Sequence, residues 1–328
     1  MFELERDALD TFHLSSINHR SLILMALNLS EAKKHSRNPQ ELAVVTELAA
    51  GPLLSVLPFR DIQGNGLFWK REESLGDVGF RNYNANYTES YAEVSQQSES
   101  LRLFGGDIKI DRAILDLEGG ESRAYQVQSK TRAMRLSWES LFINGDSNQS
   151  PSEFDGLAAR MPAADHATNS QVIRNASSAA TLDLGALDEA IDSVDAQGGV
   201  KYLVMSKSAR RALTTKARAS AQIDIARNEF GYQQMVYAGL PVIELDRDHQ
   251  NAAILDSTPA DQSIYVVTFG NDLLTGIQNG GIQVRDLGES TASPQIIVRV
   301  EWYCGLALLR GNAVARLAKV DPTLAAVA

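Results

Sequence analysis

Five histidines, one cysteine and 41 acidic side chains are the raw material for catalysis or metal binding in this 328-residue chain. His13, His19, His35, His166 and His249 are scattered. No two stand at i,i+4 with a glutamate beside them, the spacing that puts both imidazoles of a helical zinc site on one face. Cys304 lies inside an apolar run, "EWYCGLALL", and reads as a small buried hydrophobe, since a nucleophilic thiolate needs a polar, electropositive setting. There is no G-x-S-x-G elbow, no G-x-x-x-x-G-K-[ST] loop and no G-x-G-x-x-G opening a helix. In "GGDIKID", Asp107 and Asp111, with Glu118 further on, could be pictured around a metal, but the calcium-loop spacing is missing. Turn and strand-edge roles are expected for them. "QNGG" (278–281) reads as a hairpin turn, not a phosphate cradle. The expectation is therefore no enzyme, no cofactor and no metal. One charge cluster stands out: Lys201, Lys207, Arg210, Arg211, Lys216 and Arg218 fall in an 18-residue stretch with no acidic residue. It is either a partner-facing patch or a solvated helix face, and a subunit contact with an acidic surface elsewhere would satisfy both.

The bulk numbers narrow the class. Hydrophobic residues make up 44% and charged residues 22%, enough for one large or two ordinary domains with a substantial core. A net charge of −10 disfavours wrapping nucleic acid, which needs a basic face. A single cysteine excludes an internal disulfide framework and fits a reducing compartment. Glu3, Glu5, Asp7 and Asp10 are the reverse of a signal-peptide start, and the apolar run "LILMALNL" is far shorter than the ~20 residues of a spanning helix. A soluble protein made in a cytoplasm is expected. No internal repeat is visible.

Residues 1–50 carry helix-like spacing interrupted by Pro39, and "ELAVVTELAAGPLLSVLPF" predicts a helix stopping near Gly51-Pro52. From 62 to 104 the pattern changes. Gly64-Asn65-Gly66 signals a turn, Leu67-Phe68-Trp69 forms a short greasy root, and Lys70-Arg71-Glu72-Glu73 turns abruptly charged. Further on, Tyr87, Glu89, Tyr91 and Glu93 alternate with Thr88, Ser90, Ala92 and Val94, predicting two long polar strands around a loop. Such a ribbon is marginal alone and leaves open edges, so it must be covered, by its own body or, where that cannot, by a neighbouring chain. In "LRLFGGDIKIDRAILD", Gly105-Gly106 punctuate before Ile108, Ile110 and Ile114 restore apolar content. Residues 121–145 predict the clearest helix: Val127, Thr131, Met134, Trp138 and Leu141 make one stripe, ended by Asn144-Gly145. At about 1.5 Å per residue it would be a rod of roughly 36 Å, a spine. Residues 169–183 read as a connection. An α/β rhythm follows, with helices in "LGALDEAIDSVDAQGG" and "KSARRALTTKAR" and strands in "VKYLVMS", "GLPVIELD" and "SIYVVTF". The C-terminal part predicts two apolar strands broken at Gly305, then an apolar tail.

Taken in order, "LLSVLPFRDIQGNGLFWKREESLG", "LFGGDIKIDRAI", "LFINGD", "EFDGLAARM", "YAGLPVIELD" and "IYVVTFG…TGIQNGGIQVRDLGE" resemble the major capsid proteins of tailed bacteriophages, which share the Johnson fold with encapsulin shells. The likeness runs from about residue 42 to 320. It implies an α+β chain: an N-terminal arm (1–61), an extended β-hairpin loop (62–104), a peripheral domain (105–178) with its spine helix, an α/β axial domain (179–289), and return strands to the C-terminus (290–328). The resemblance implies that the loop lies over a neighbouring subunit through Trp69, Lys70, Arg71, Glu72, Glu73, Tyr87 and Tyr91, with its apolar root anchored on its own body. Val127, Met134, Trp138 and Leu141 would line the spine, and Lys207, Arg210, Arg211, Lys216 and Arg218 a contact patch.

The implied function is a self-assembling shell subunit of a virion, forming pentamers and hexamers around DNA without sequence-specific binding and without a membrane. A separate scaffolding protein and a portal are expected partners, and a decoration protein is an optional one. Some family members weld subunits by Lys–Asn isopeptide bonds; Lys70 and Asn312 are the residues of the right types, but nothing in the sequence gives the desolvated lysine and carboxylate helper such a bond needs. The alternatives are an encapsulin-type compartment around a cargo enzyme and an unrecognised soluble α/β enzyme.

Overall fold

The computed structural model describes residues 27–28, 39–74, 76–118, 120–176, 180–195, 198–219, 223–227, 233–255 and 261–322. In chain order the elements are β1 (Leu27–Asn28), α1 (Pro39–Leu48), β2 (Pro58–Asp61), β3 (Gly66–Ser74), β4 (Glu93–Ser100), β5 (Arg102–Asp111), α2 (Arg112–Glu118) and α3 (Gly120–Asn144). After α4 (Leu157–Arg160) and β6 (Val172–Arg174) come α5 (Leu184–Asp192), β7 (Val200–Met205), α6 (Lys207–Ala219), β8 (Ile223–Arg227), β9 (Gln233–Tyr237) and β10 (Leu240–Glu244). The chain then closes with β11 (Gln262–Phe269), β12 (Leu274–Glu289), β13 (Gln295–Leu308) and β14 (Val314–Val320).

Twelve strands form one sheet, with the order β1-β2-β12-β11-β7-β10-β9-β8; β13 and β5 extend from β12, and β14 and β6 from β11. Among the described residues, only β3 and β4 stand outside it, as a separate pair. Strand β11, "QSIYVVTF", is buried at every position, the mark of a strand covered on both faces. Its alternation divides the core. Tyr265 and Val267 join Val204, Ile243 and Trp302 in a cluster with α1 and α3, whereas Ile264 and Val266 join Leu203, Met205 and Val242 in a second cluster with α5 and α6.

The first cluster is aromatic at its centre. Trp138 of α3 lies 5.9 Å from Phe59, 5.7 Å from Phe142, 5.9 Å from Phe154 and 6.1 Å from Trp302. Such offset and tilted ring pairs add to the burial of their large surfaces. The indole N–H of Trp302 donates to Gln278 Oε1 at 3.1 Å, so this buried donor is satisfied. Helix α1 packs on α3 with Val44, Val45 and Leu48, and the following turn adds Leu53, Leu54 and Leu57.

Several elements differ from the sequence expectation. Pro39 opens α1 instead of interrupting a helix; its fixed φ suits the first helical turn, where no N–H bond is lost. Residues 27–28, within the stretch read as helical, pair with β2 as a strand. Gly105-Gly106 do not punctuate: β5 runs through them, paired with β13 from Arg102 to Asp111, and the carbonyl of Val300 occupies the place where a Cβ on Gly105 would sit. Glycine there permits close strand approach, not a turn. "QNGG" is likewise no hairpin; it is a bulge inside β12, where Gly280 and Gly281 both take φ +71° and the pairing with β13 shifts register between Gln278 and Ile282. Strand β13 passes unbroken through Gly305, which faces Ile277; the break falls at Leu309–Ala313, before β14. Residues 172–174, expected as connection, pair with β14.

Candidate intersubunit surface

The arm begins at a bend where Gly64 takes φ +101°, and the N–H of Leu101 donates to the Asn65 carbonyl at 2.8 Å, closing the root. From there β3 and β4 pair antiparallel, Gly66 opposite Ser100 out to Ser74 opposite Glu93. Beyond the ladder, 76–92 has no strand. The alternation from Tyr87 to Ala92 is thus not a strand, and β4 starts only at Glu93; the ladder ends with β3 at Ser74, so earlier residues have no partner across it. The tip is held locally: Ser90 Oγ donates to the Asp77 carbonyl at 2.7 Å, and the Arg81 guanidinium sits 5.1 Å over the Tyr87 ring.

Period-two geometry sorts the arm into two faces. Leu67, Trp69 and Arg71 of β3 and Ser95, Gln97 and Glu99 of β4 are half-buried. Phe68, Lys70, Val94 and Gln96 point the other way, into solvent. The greasy root is therefore only partly an anchor, because alternation turns Phe68 outward, 70% exposed. Arg71 Nη1 lies 3.9 Å from where a Cβ on Gly311 would be, so the inner face passes the turn before β14. The side chains of Glu72 and Glu73 are not described. At the tip Val78, Phe80 and Tyr83 are fully or almost fully exposed, and Tyr87 and Tyr91 are largely so. The sequence reading named Tyr87 and Tyr91 but passed over Val78, Phe80 and Tyr83; their signal was a run of aromatics, Phe80, Tyr83, Tyr87 and Tyr91, following Gly76 and Gly79. A run of exposed large apolar side chains on a ribbon with no core marks a surface meant to be covered.

Helix α3 carries the stripe. Thr131, Met134 and Trp138 are buried, and Val127 and Leu141 are half-buried. Phe142 and Ile143, outside the expected stripe, are buried as deeply. Glu139 is 4% exposed, and its Oε1 has no hydrogen-bond partner. The nearby Arg135 is engaged elsewhere, 3.5 Å from Glu47 Oε1 of α1 and donating to the Glu47 carbonyl at 3.2 Å. Burial pushes the Glu139 carboxyl up to about 7, only partly countered by Arg135.

The basic cluster sits mostly on α6, whose Ala209, Ala212, Leu213 and Ala217 are buried. Lys207 pairs with Asp246 at 2.6 Å and Arg210 with Glu244 at 3.0 Å; Lys201 Nζ donates to the Ile191 carbonyl at 3.0 Å and Lys216 Nζ to Thr181 Oγ1 at 3.4 Å. Arg211 is exposed, and the side chain of Arg218 is not described. Four of the cationic side chains therefore have partners within the chain.

The groups weighed for chemistry take structural places. Cys304 is buried and its thiol pushed up to about 12 by burial, so no thiolate forms near neutral pH. Asp107 binds the Arg299 guanidinium twice, at 2.6 and 2.9 Å, and this pairing holds its carboxyl below the usual range. Asp111 Oδ1 accepts from the Ala113 N–H at 2.8 Å and caps α2, and the Glu118 side chain is not described. His249 Nδ1 lies 2.7 Å from Ser137 Oγ, and His166 is exposed; His13, His19 and His35 lie outside the described residues. Among the described residues no group of three His, Cys, Asp or Glu side chains could hold a metal ion. No helix among them is long and apolar enough to cross a membrane.

A hairpin arm, a long spine helix and a sheet shared by two cores make up a shell-protein architecture, the Johnson fold. Solved structures share it. An encapsulin complex (SrpI) from Synechococcus elongatus PCC 7942 superposes with a TM-score of 0.62 at 16% identity, over 88% of this chain and 90% of that one. The capsid of cyanophage A-1(L) gives 0.58 at 13% identity, over 82% and 93%. Mycobacterium phage Adephagia gives 0.56 at 12% identity, over 82% and 89%. The family model "Major capsid protein GP7" matches residues 72–183, from the arm through the spine helix to the edge of the α/β region. No curated protein matches the chain in sequence. The family match spans about a third of the chain, and the fold is shared by phage capsids and an encapsulin alike.

Proposed function

We propose that this chain is the subunit of an icosahedral phage head that encloses packaged double-stranded DNA, built from pentamers and hexamers. The observation that carries the reading is the arm: a two-stranded ribbon and seventeen loop residues (76–92) whose outward side chains Phe68, Val78, Phe80, Tyr83, Tyr87 and Tyr91 find no cover on their own body. Each such arm laid on a neighbour buries apolar area worth about 25 cal/mol per Å² before association costs. Closed symmetry repeats that gain around the shell. A peripheral domain (105–178 and 290–328) and an axial domain (179–289) remain the proposed division of labour; the two core clusters lie on the two faces of β11 and each draws residues from both ranges. A net charge of −10 suits a wall that must not hold its genome during filling. A scaffolding protein and a portal complete the proposed assembly, in a virion made in the host cytoplasm.

The likeness to the encapsulin complex favours a second reading, a cellular compartment. Electron microscopy of the chain expressed alone and with its neighbouring gene products separates the two. Closed icosahedral particles that fill with DNA beside portal and packaging proteins support the phage head; particles loaded with a cargo enzyme support the compartment. A subunit that stays monomeric under all these conditions contradicts both.

A further inference from the structure

The segment "NGDSNQSPSEFDGLAAR" (144–160) links the spine helix to the sheet, and its conformation is tightly specified. The Gly156 N–H donates to the Gly145 carbonyl at 2.8 Å, folding the segment back onto the end of α3. Asp155 Oδ1 accepts from the Ser147 N–H at 2.8 Å. Phe154 is buried against Trp138, and Leu157 is fully buried. From this segment Arg160 reaches the arm. Arg160 Nε donates to the Asp155 carbonyl at 3.0 Å and its Nη2 to the Leu306 carbonyl of β13 at 2.9 Å. Its Nη1 lies 2.6 Å from Glu99 Oε1 on β4, with both side chains mostly buried, 14% and 18% exposed. Glu99 sits opposite Leu67 at the root, one residue from the end of the ladder.

We propose that the Arg160–Glu99 pair is the latch that sets the angle of the arm, and that the turn after the spine helix exists to present Arg160. A guanidinium held by two carbonyls is pre-organised, so its third contact transmits the position of α3 and β13 directly to β4. Beside the latch a groove of about 580 Å³, lined by Gln63, Asn65, Phe68, Ser98, Ser147 and Asp155, leaves the root free of packed apolar side chains on that side. On the face that carries Glu99, Leu67 and Trp69 are only half-buried, so the shielded ion pair decides the orientation, and the arm swings when it is lost. Arg160 is a positioning residue in this sense.

Backbone hydrogen exchange of the full-length unassembled subunit tests the latch without requiring that a shell form. Glu99→Gln is the informative variant, because it leaves the bonds from Arg160 to the body in place. The expected result is exchange about tenfold faster or more across 67–72 and 94–100, with 131–143 unchanged, as for a local opening released from a buried charge pair. Glu93→Gln, an exposed carboxylate on the same strand, should leave the arm rates alone. Arm rates in Glu99→Gln equal to those of the unaltered chain, or equal acceleration by both variants, would overturn the proposal.

Discussion

Helix α3 and the arm are neighbours in sequence and opposites in physics. The C-terminal half of the helix turns its large side chains inward: Trp138, Phe142 and Met134 are buried among Phe59, Phe154 and Trp302. The arm spends its own outward, with Phe68, Phe80, Tyr83 and Tyr91 in solvent. A residue of the first kind stabilises the subunit; one of the second kind contributes little to it and acts only when another surface arrives. The difference separates two free energies that a single chain usually mixes, that of folding and that of association.

The largest effect should come from the core. Trp138→Ala removes the hub of the aromatic cluster and is expected to cost about 3–5 kcal/mol of subunit stability, read from denaturant midpoints. Next is Glu139. Its folded-state carboxyl lies near 7, above the ordinary value of 4.5, so the folded chain binds the extra proton between those values. Stability contributed by the protonated form is present in acid and falls as pH rises towards 7, by a total of a few kcal/mol. Glu139→Gln should remove that slope and raise stability by about 2–3 kcal/mol at pH 8 while changing little near pH 5. Equal midpoints for the two chains across that range would contradict a buried, unpaired carboxylate. Smaller again is Lys207→Ala, which breaks a half-exposed pair with Asp246; it should cost under about 1 kcal/mol and fade with salt. A larger loss would mean that α6 depends on its charges more than on Leu213 and Ala217.

The legibility of these regions follows the same division. The spine stripe was readable because a helix buries residues at a fixed local spacing, and Met134 and Trp138 fell where that spacing put them. Glu139, one position off the stripe, was not, since its burial depends on α1 arriving from far away in sequence. Glycines misled in the sheet: Gly105, Gly280-Gly281 and Gly305 carry the same local signal as turns, and only the long-range pairing with β13 or β12 makes them close approaches or bulges. In the arm, chance alternation from Tyr87 to Ala92 imitated a strand, but a strand needs a partner and β3 ends too soon. The motif "EFDGLAARM" was visible as a motif, whereas the contact of its Arg160 with Glu99 joins residues 61 positions apart that no spacing rule connects.

The central claim is that the arm tip serves association and not folding. Replacing Phe80 and Tyr83 together by serine and measuring both the unfolding midpoint of the subunit and the yield of closed particles tests it most directly. The account predicts a subunit stability within about 0.5 kcal/mol of the unaltered chain, as for exposed sites, together with loss of most particles. Particles formed in full yield, or a subunit destabilised as severely as by Trp138→Ala, would contradict it.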